Sequence, residues 1–303
     1  MATRTTTRGS GGKTAKSSPN PKKKSQSAAA ASRSSASSRG AKKKRRADSS
    51  GGEGGGLFGR LCWAALFVAL TWASCEVASL PSSQAIAALG GRFPQKTSLM
   101  RTREREAARR GAPLELIHKP VAFEAMSPLL VQALVASEDA RFFQHEGVDW
   151  REVQAAVKQS AETGARLRGA STLTQQLAKN LFLSERRSPL RKLKELWITR
   201  ALESAHSKER LLALYLNSVE WGDGVFGAEA AAEVWFGKTA RTVSLGEAAA
   251  LVAMLPNPRR IGPSAHEEWQ KRTDRVLRRL TAEGKVTRQA AAQAAGELAR
   301  MVF

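Results

Sequence analysis

A run of fifteen residues without a charge, LCWAALFVALTWASC at positions 61–75, divides this 303-residue chain into two parts that cannot share one solvent. Glu76 interrupts the run, Val77–Leu80 continues it to Pro81, and Leu57 and Phe58 extend it at the front. The stretch so reaches the about 20 residues that a helix needs to span a bilayer core. Trp63 and Trp72 suit the two interfaces. Residues 41–60 hold six Lys/Arg, whereas residues 81–100 hold only Arg92 and Lys96. The positive-inside rule therefore places the front of the chain in the cytoplasm and everything after Pro81 outside. A cleaved signal peptide is the competing reading, because the strictly uncharged run is short. Trp72 makes Ala73-Ser74-Cys75 a poor lipoprotein cleavage site, and an uncleaved anchor is expected. The expected organisation is a disordered basic tail (1–56), a transmembrane anchor (57–80), a membrane-proximal segment (81–120) and a folded domain (121–303).

The formal charge of +22 divides unevenly along this frame. Residues 1–60 carry 15 Lys/Arg and two acids, a net +13. Their Ser, Ala, Gly, Thr and Lys cannot bury enough surface to offset the entropy of ordering. The run Lys42–Arg46 would suit phosphate contacts. No aromatic residue interleaves with it as a stacking platform, so the tail is read as topology and no nucleic-acid partner is expected. Cys62 and Cys75 lie thirteen residues apart in the apolar run, about 20 Å along a helix and beyond disulfide reach. Between 101 and 110, Arg101, Arg103, Arg105, Arg109 and Arg110 crowd one segment, as a solvated helix or as a contact with anionic headgroups.

From Ser127 onward the signals are helical. Ser127-Pro128, Ser188-Pro189 and Ser207-Lys208 read as helix starts. Asp149–Glu152 and Ser244–Glu247 read as capping boxes. Gly284 reads as a C-terminal stop before a last helix from about Arg288. No alternating β-branched run competes, and one all-α domain is expected.

Three segments in it carry chemistry. Glu138 and Asp139 end an apolar helix, and consecutive helical residues point about 100° apart, so the two acids serve different roles. A carboxylate against apolar surface is pushed toward general-base values, against the alternative of a cap and a solvated acid. In Gly169–Asn180, small residues lead into a helix start, a ready anion site. Thr172, Gln175, Gln176 and Lys179 form a polar stripe there without an acid, which suits a sugar diphosphate. In Arg186–Glu195, cations crowd a helix N-terminus, where they oppose the macrodipole, so an anionic ligand explains them better than local stability. The alternative for Arg191 and Glu195 is a surface i,i+4 pair. There is no P-loop, GxGxxG, HExxH or CxxC, and the one SxxK lies in the tail. Two separated carboxylates, a basic rim and a membrane anchor together fit sugar chemistry on a membrane-bound phosphorylated donor.

Five ordered segments carry a resemblance: EDARFFQHEG (138–147), RGASTLTQQLAKNLF (168–182), RKLKE (191–195), YLNSVEWGDGVFGAEAAAEVWFGK (215–238) and SLGEAAALVAMLPNP (244–258). They resemble the motifs of glycosyltransferase family 51, the peptidoglycan glycosyltransferase domain of class A penicillin-binding proteins, over about residues 121–280. The chain ends where a transpeptidase domain would begin, so the monofunctional branch is the expected one. The resemblance implies a mainly α, lysozyme-like fold with a membrane-facing subdomain. It implies that Glu138 is the general base toward the acceptor 4-hydroxyl of lipid II. Glu195 would be the second acid, assisting the leaving undecaprenyl diphosphate. Ser171, Thr172, Gln175, Gln176, Lys179, Asn180, Arg187, Arg191, Lys192 and Lys194 would contact substrate. Asp139, Phe142, His145 and Asn217 would support them. A divalent cation, Mg or Mn, is the candidate cofactor, with no metal ligand assigned and no organic cofactor expected. The implied partners are lipid II, the growing glycan strand, the bacterial cytoplasmic membrane, and cell-wall synthesis or division proteins. The alternative is a lysozyme-like hydrolase or lytic transglycosylase, which has no need for the basic cluster. A non-enzymatic scaffold would require a lost acid, and both are present.

Overall fold

The computed structural model describes residues 53–164, 169–186 and 188–300, with side chains from Gly59 onward. Most of the basic tail, and Arg187, lie outside the described residues. Twelve helices of five or more residues run through the described part. The first is α1 (Glu53–Ala78), followed by α2 (Ser83–Ala87), α3 (Ser98–Arg109) and α4 (Pro128–Glu138). Then come α5 (Trp150–Thr163), α6 (Leu173–Phe182), α7 (Pro189–Ala205) and α8 (Lys208–Ser218). The last four are α9 (Ala228–Phe236), α10 (Leu245–Met254), α11 (His266–Ala282) and α12 (Arg288–Leu298).

α1 is the one described helix long and apolar enough to cross a membrane, within a span at 59–90 of mean hydropathy 1.7. Its Trp63, Phe67, Leu70 and Trp72 are exposed. Cys62 and Cys75 are free and exposed on it.

The core is built around α10, buried from Gly246 to Met254. A helix apolar on all sides has no solvent face and must be enclosed. α4, α11 and α12 enclose it, and Trp269 on α11 donates its indole N–H to the Ala250 carbonyl at 2.8 Å. The one acid of α10, Glu247, closes a capping box with Ser244 and accepts from Lys238 at 2.6 Å. α6, α7 and α8 form a second packed group, with α3 against α6. The membrane-proximal segment joins this packing: Ile86 and Leu89 enter the main core, and Leu99 and Met100 pack with Phe226.

One local reading needs correction. Asp149 caps α5 through the Arg151 and Glu152 amides, but Glu152 does not return a bond, so no reciprocal box forms. Ser127 is the N-cap of α4 with Pro128 first in the helix, as read, but its hydroxyl donates to the Val243 carbonyl at 2.9 Å and ties α4 to the chain entering α10. A three-stranded sheet also appears, in the order β1 (Ile117–His118), β3 (Val225–Phe226), β2 (Glu220–Gly222). β1 runs parallel to β3, and β2 antiparallel to it. Strands of two or three residues are too short to show a period of two.

Gly246 marks where α10 and α12 touch backbone to backbone: a Cβ there would lie 2.7 Å from the Ala294 carbonyl oxygen. Gly246→Ala is therefore expected to destabilise the fold by about 1–3 kcal/mol through overpacking. Thermal unfolding of the detergent-solubilised chain checks this, and an unchanged midpoint would count against the close contact.

Candidate active site

The site begins where α4 ends. Glu138 is the last residue of α4, and Asp139 leaves helical geometry at φ −162°. The two acids diverge, as their spacing predicts. Asp139 is buried; its Oδ2 accepts the Leu173 amide at 3.0 Å and its Oδ1 accepts from His145 Nε2 at 2.9 Å. His145 Nδ1 accepts from the Gly147 amide at 3.1 Å, so in the neutral ring the proton sits on Nε2. Phe142 packs edge-on to His145, with Lys208 Nζ 4.4 Å above its ring. Gly147 (φ +88°) lets this loop lie on α7: a Cβ there would meet Thr199 Cγ2 at 2.6 Å.

Glu138 turns the other way. Gln176 donates from Nε2 to Glu138 Oε2 at 3.1 Å, and Tyr215, buried on α8, donates its hydroxyl to Gln176 Oε1 at 3.0 Å. That chain fixes which end of the Gln176 amide faces the carboxylate. Burial raises the pKa of Glu138 above the ordinary glutamate range. The Gln176 bond and the Arg279 charge oppose the rise, and the Asp139 charge adds to it. Burial, with the Glu138 charge, also pushes the Tyr215 hydroxyl well up, so it stays a donor.

Two chambers meet at this point. The larger, about 750 Å³, is lined by Glu138, Asp139, Ser171, Gln176, Lys179 and Arg279 among others. The smaller, about 270 Å³, is lined by Ser171, Gln175, Gln176, Lys179, Glu185, Arg191, Lys192 and Glu195. Ser171, Gln176 and Lys179 belong to both. Glu138 thus lines one chamber and Glu195 the other, and Lys179 lines both. Burial lowers the pKa of Lys179, while the charges of Glu185 and Glu195 act to raise it.

The sequence-predicted residues are not all placed alike. Glu195 is buried, so its pairing with Arg191 (2.6 Å) is no surface pair; Lys192 takes its other oxygen. Lys192 also reaches Ser171 at 3.4 Å, and Arg191 keeps a buried Nε–H without a partner among the described residues. The start of α6 is no open anion site, because the anion there is the chain's own Asp139. Thr172 caps α6 and donates to the Gly147 carbonyl at 2.6 Å, while Gln175 returns to the Thr172 amide. Asn180 is buried on α6 and is not among the residues lining either chamber. Asn217 clamps Val121 through both its amide groups, at 2.9 Å each, a structural role. Lys194 lines neither chamber; it pairs with Glu76 and donates to Ser79 at 2.5 Å.

Sequence reading missed Arg279 and Tyr215. Arg279, on α11, donates to the Ser137 carbonyl and so caps the end of α4 beside Glu138. Its partner lies 142 residues away, beyond any local pattern.

Asp139, His145 and Asp149 each bring a ligand atom within 4.8 Å of the others, a cluster of the kind that holds a cation. Asp149 Oδ2 in it is buried without a hydrogen-bond partner among the described residues, while the other ligand atoms already have bonds within the protein. Both nitrogens of His145 are engaged, Asp139 holds α6, and Asp149 caps α5 and pairs with Arg141. Glu195 has both oxygens on cations already.

A family model described as transglycosylase matches residues 108–281. The chain is similar to proteins named biosynthetic peptidoglycan transglycosylase. That of Laribacter hongkongensis is 44% identical over 186 residues, covering 61% of this chain and 82% of the relative. That of Chromobacterium violaceum is 47% identical over 168 residues, 55% and 74% of the two chains. That of Rhodospirillum centenum is 55% identical over 143 residues, 47% and 62%.

Because the Gln176 bond favours the charged form of Glu138, Gln176→Ala is expected to raise the midpoint at which Glu138 titrates. NMR of carboxyl-labelled glutamate reads this directly; a midpoint unchanged or lowered would contradict the assigned bond.

Proposed function

The chain belongs to the transglycosylase family and is a peptidoglycan glycosyltransferase of cell-wall synthesis; from that premise we propose how its residues divide the reaction. The acceptor's 4-hydroxyl lies in the larger chamber, where Glu138 takes its proton. The oxygen attacks the anomeric carbon of the lipid-linked donor, lipid II, from the face opposite the diphosphate. A β-1,4 bond forms, the α-linked anomeric C–O bond breaks, and undecaprenyl diphosphate leaves with the electron pair. A hydroxyl needs a base of raised pKa for this, and burial supplies it to Glu138. A diphosphate needs charge neutralisation more than protonation.

That neutralisation falls to Lys179, Arg191 and Lys192 in the smaller chamber, with the unpartnered Nε–H of Arg191 aimed at a phosphate oxygen. Glu195 acts through Arg191 and Lys192, holding both cations in place. No step is routed through a divalent cation. Ser171 and Gln176, shared by both chambers, sit where the donor sugar must lie between base and leaving group. The single observation that carries this reading is the shared wall: Glu138 lines one chamber, Arg191 and Lys192 line the other, and Lys179 lines both. A hydrolase of mature glycan has no use for the second chamber. The reading places α1 as a single span of the bacterial inner membrane, with residues 1–56 cytoplasmic and the chambers on the periplasmic side. The partners there are lipid II, the growing strand, and cell-wall synthesis or division proteins.

Glu138→Gln is expected to cut polymerisation of purified lipid II by at least about 10²-fold, the usual loss of a general base, with the fold intact. Lys179→Ala is expected to lower kcat/KM for lipid II, through kcat as well as KM, because it loses charge stabilisation of both the bound and the leaving diphosphate. Near wild-type product from Glu138→Gln would sink the base assignment, and unchanged turnover of Lys179→Ala at low lipid II would sink the diphosphate site.

A further inference from the structure

Glu76 is the one acid in the described span 59–90. A carboxylate at the margin of a lipid-facing helix is costly and calls for a partner. Its partner is Lys194 of α7, 118 residues away, which also donates to Ser79 one turn further on. The pair is largely enclosed, with side-chain exposure of 16% for Lys194 and 30% for Glu76. Around them, most of α1 from Leu61 to Val77 is exposed, so the ion pair is where the apolar helix grips the domain.

The same helix α7 is held again at its other end. Its C-cap residue, His206, bonds through Nε2 to the Ile86 carbonyl at 2.8 Å, and its ring lies 3.6 Å from a Cβ built on Gly90. Arg210, in the first turn of α8, donates to the Leu89 and Arg92 carbonyls at 2.7 and 2.9 Å and stacks on Phe93. Lys194 and His206 are twelve residues apart, about 18 Å along the helix. Two grips at that separation fix the direction of α7, where a single grip would leave it free to pivot. Arg191 and Lys192 lie within one turn before Lys194 on α7, and Glu195 directly follows it. α7 also exposes Leu193 and Trp197.

We infer that Lys194 is a positioning residue and that the Glu76–Lys194 pair, with the His206–Ile86 contact, sets the register between the membrane anchor and the cationic chamber. Lys194 holds no substrate. The pair keeps Arg191 and Lys192 at the height above the bilayer at which a lipid-borne diphosphate arrives. The inference rests on the proposed lipid-linked donor and on α1 as the span.

Kinetics of the full chain in phospholipid vesicles, with lipid II as substrate, test it. Glu76→Gln and Lys194→Met should each raise KM for lipid II about five-fold, the loss of one partly buried pair, with kcat nearly unchanged. The swapped double variant, Glu76→Lys with Lys194→Glu, should recover most of the wild-type KM. A substrate-binding lysine predicts the opposite pattern: Lys194→Met impaired, Glu76→Gln unimpaired and the swap no better than Lys194→Met. That pattern, or unchanged KM in both single variants, overturns the inference. If instead Glu138→Gln run alongside keeps full activity, the proposed function fails, whatever the pair does.

Discussion

The carboxylate of Asp139 accepts a backbone amide from the first turn of α6 and a ring N–H from His145, and through those two bonds the end of one helix is set against the start of another. An anion at a helix N-terminus is stabilised by up to about 2 kcal/mol when partly buried. Here the protein supplies that anion itself. The consequence is geometric. With Leu173 fixed on Asp139, Gln176 comes round one turn later on the same helix, level with Glu138. Glu138 precedes Asp139 by one residue and points away from it, toward that amide. One acid therefore builds the frame in which the other can act, and neither could replace the other.

Much of this was legible along the sequence, and the parts that were not share one physical reason. The paired acids at a helix end, the apolar α10, the Ser244 box and the stop at Gly284 are local patterns, and local patterns are written in consecutive residues. The polar stripe of α6 was half legible: Gln176 and Lys179 face the chambers, but Thr172 and Gln175 are partly spent on capping the first turn. A helical wheel treats that turn as if it had no orphan amides to satisfy. The cations of α7 looked like one cluster for one ligand, yet Lys194 turns to an acid 118 residues earlier in the chain. Arg279, Tyr215 and the short sheet depend on contacts of the same long range. Their residue types are ordinary, and only the fold gives them a place.

The smaller chamber holds acids as well as cations, which at first opposes the binding of a diphosphate. Burial resolves the conflict. Desolvation drives Lys179 toward its neutral form, and Glu185 and Glu195 are the charges that act against it. Arg191 and Arg103 act in the same sense as burial. Each acid is kept in check by its own guanidinium: Arg191 lies on Glu195, and Arg103 of α3 lies on Glu185 at 2.8 Å. Burial alone would lower the pKa of Arg103, but Glu220 and Glu185 outweigh it and hold it charged. Arg103 also reaches the buried Glu220 of β2 at 2.7 Å. The membrane-proximal helix thus reaches into the electrostatics of the chamber.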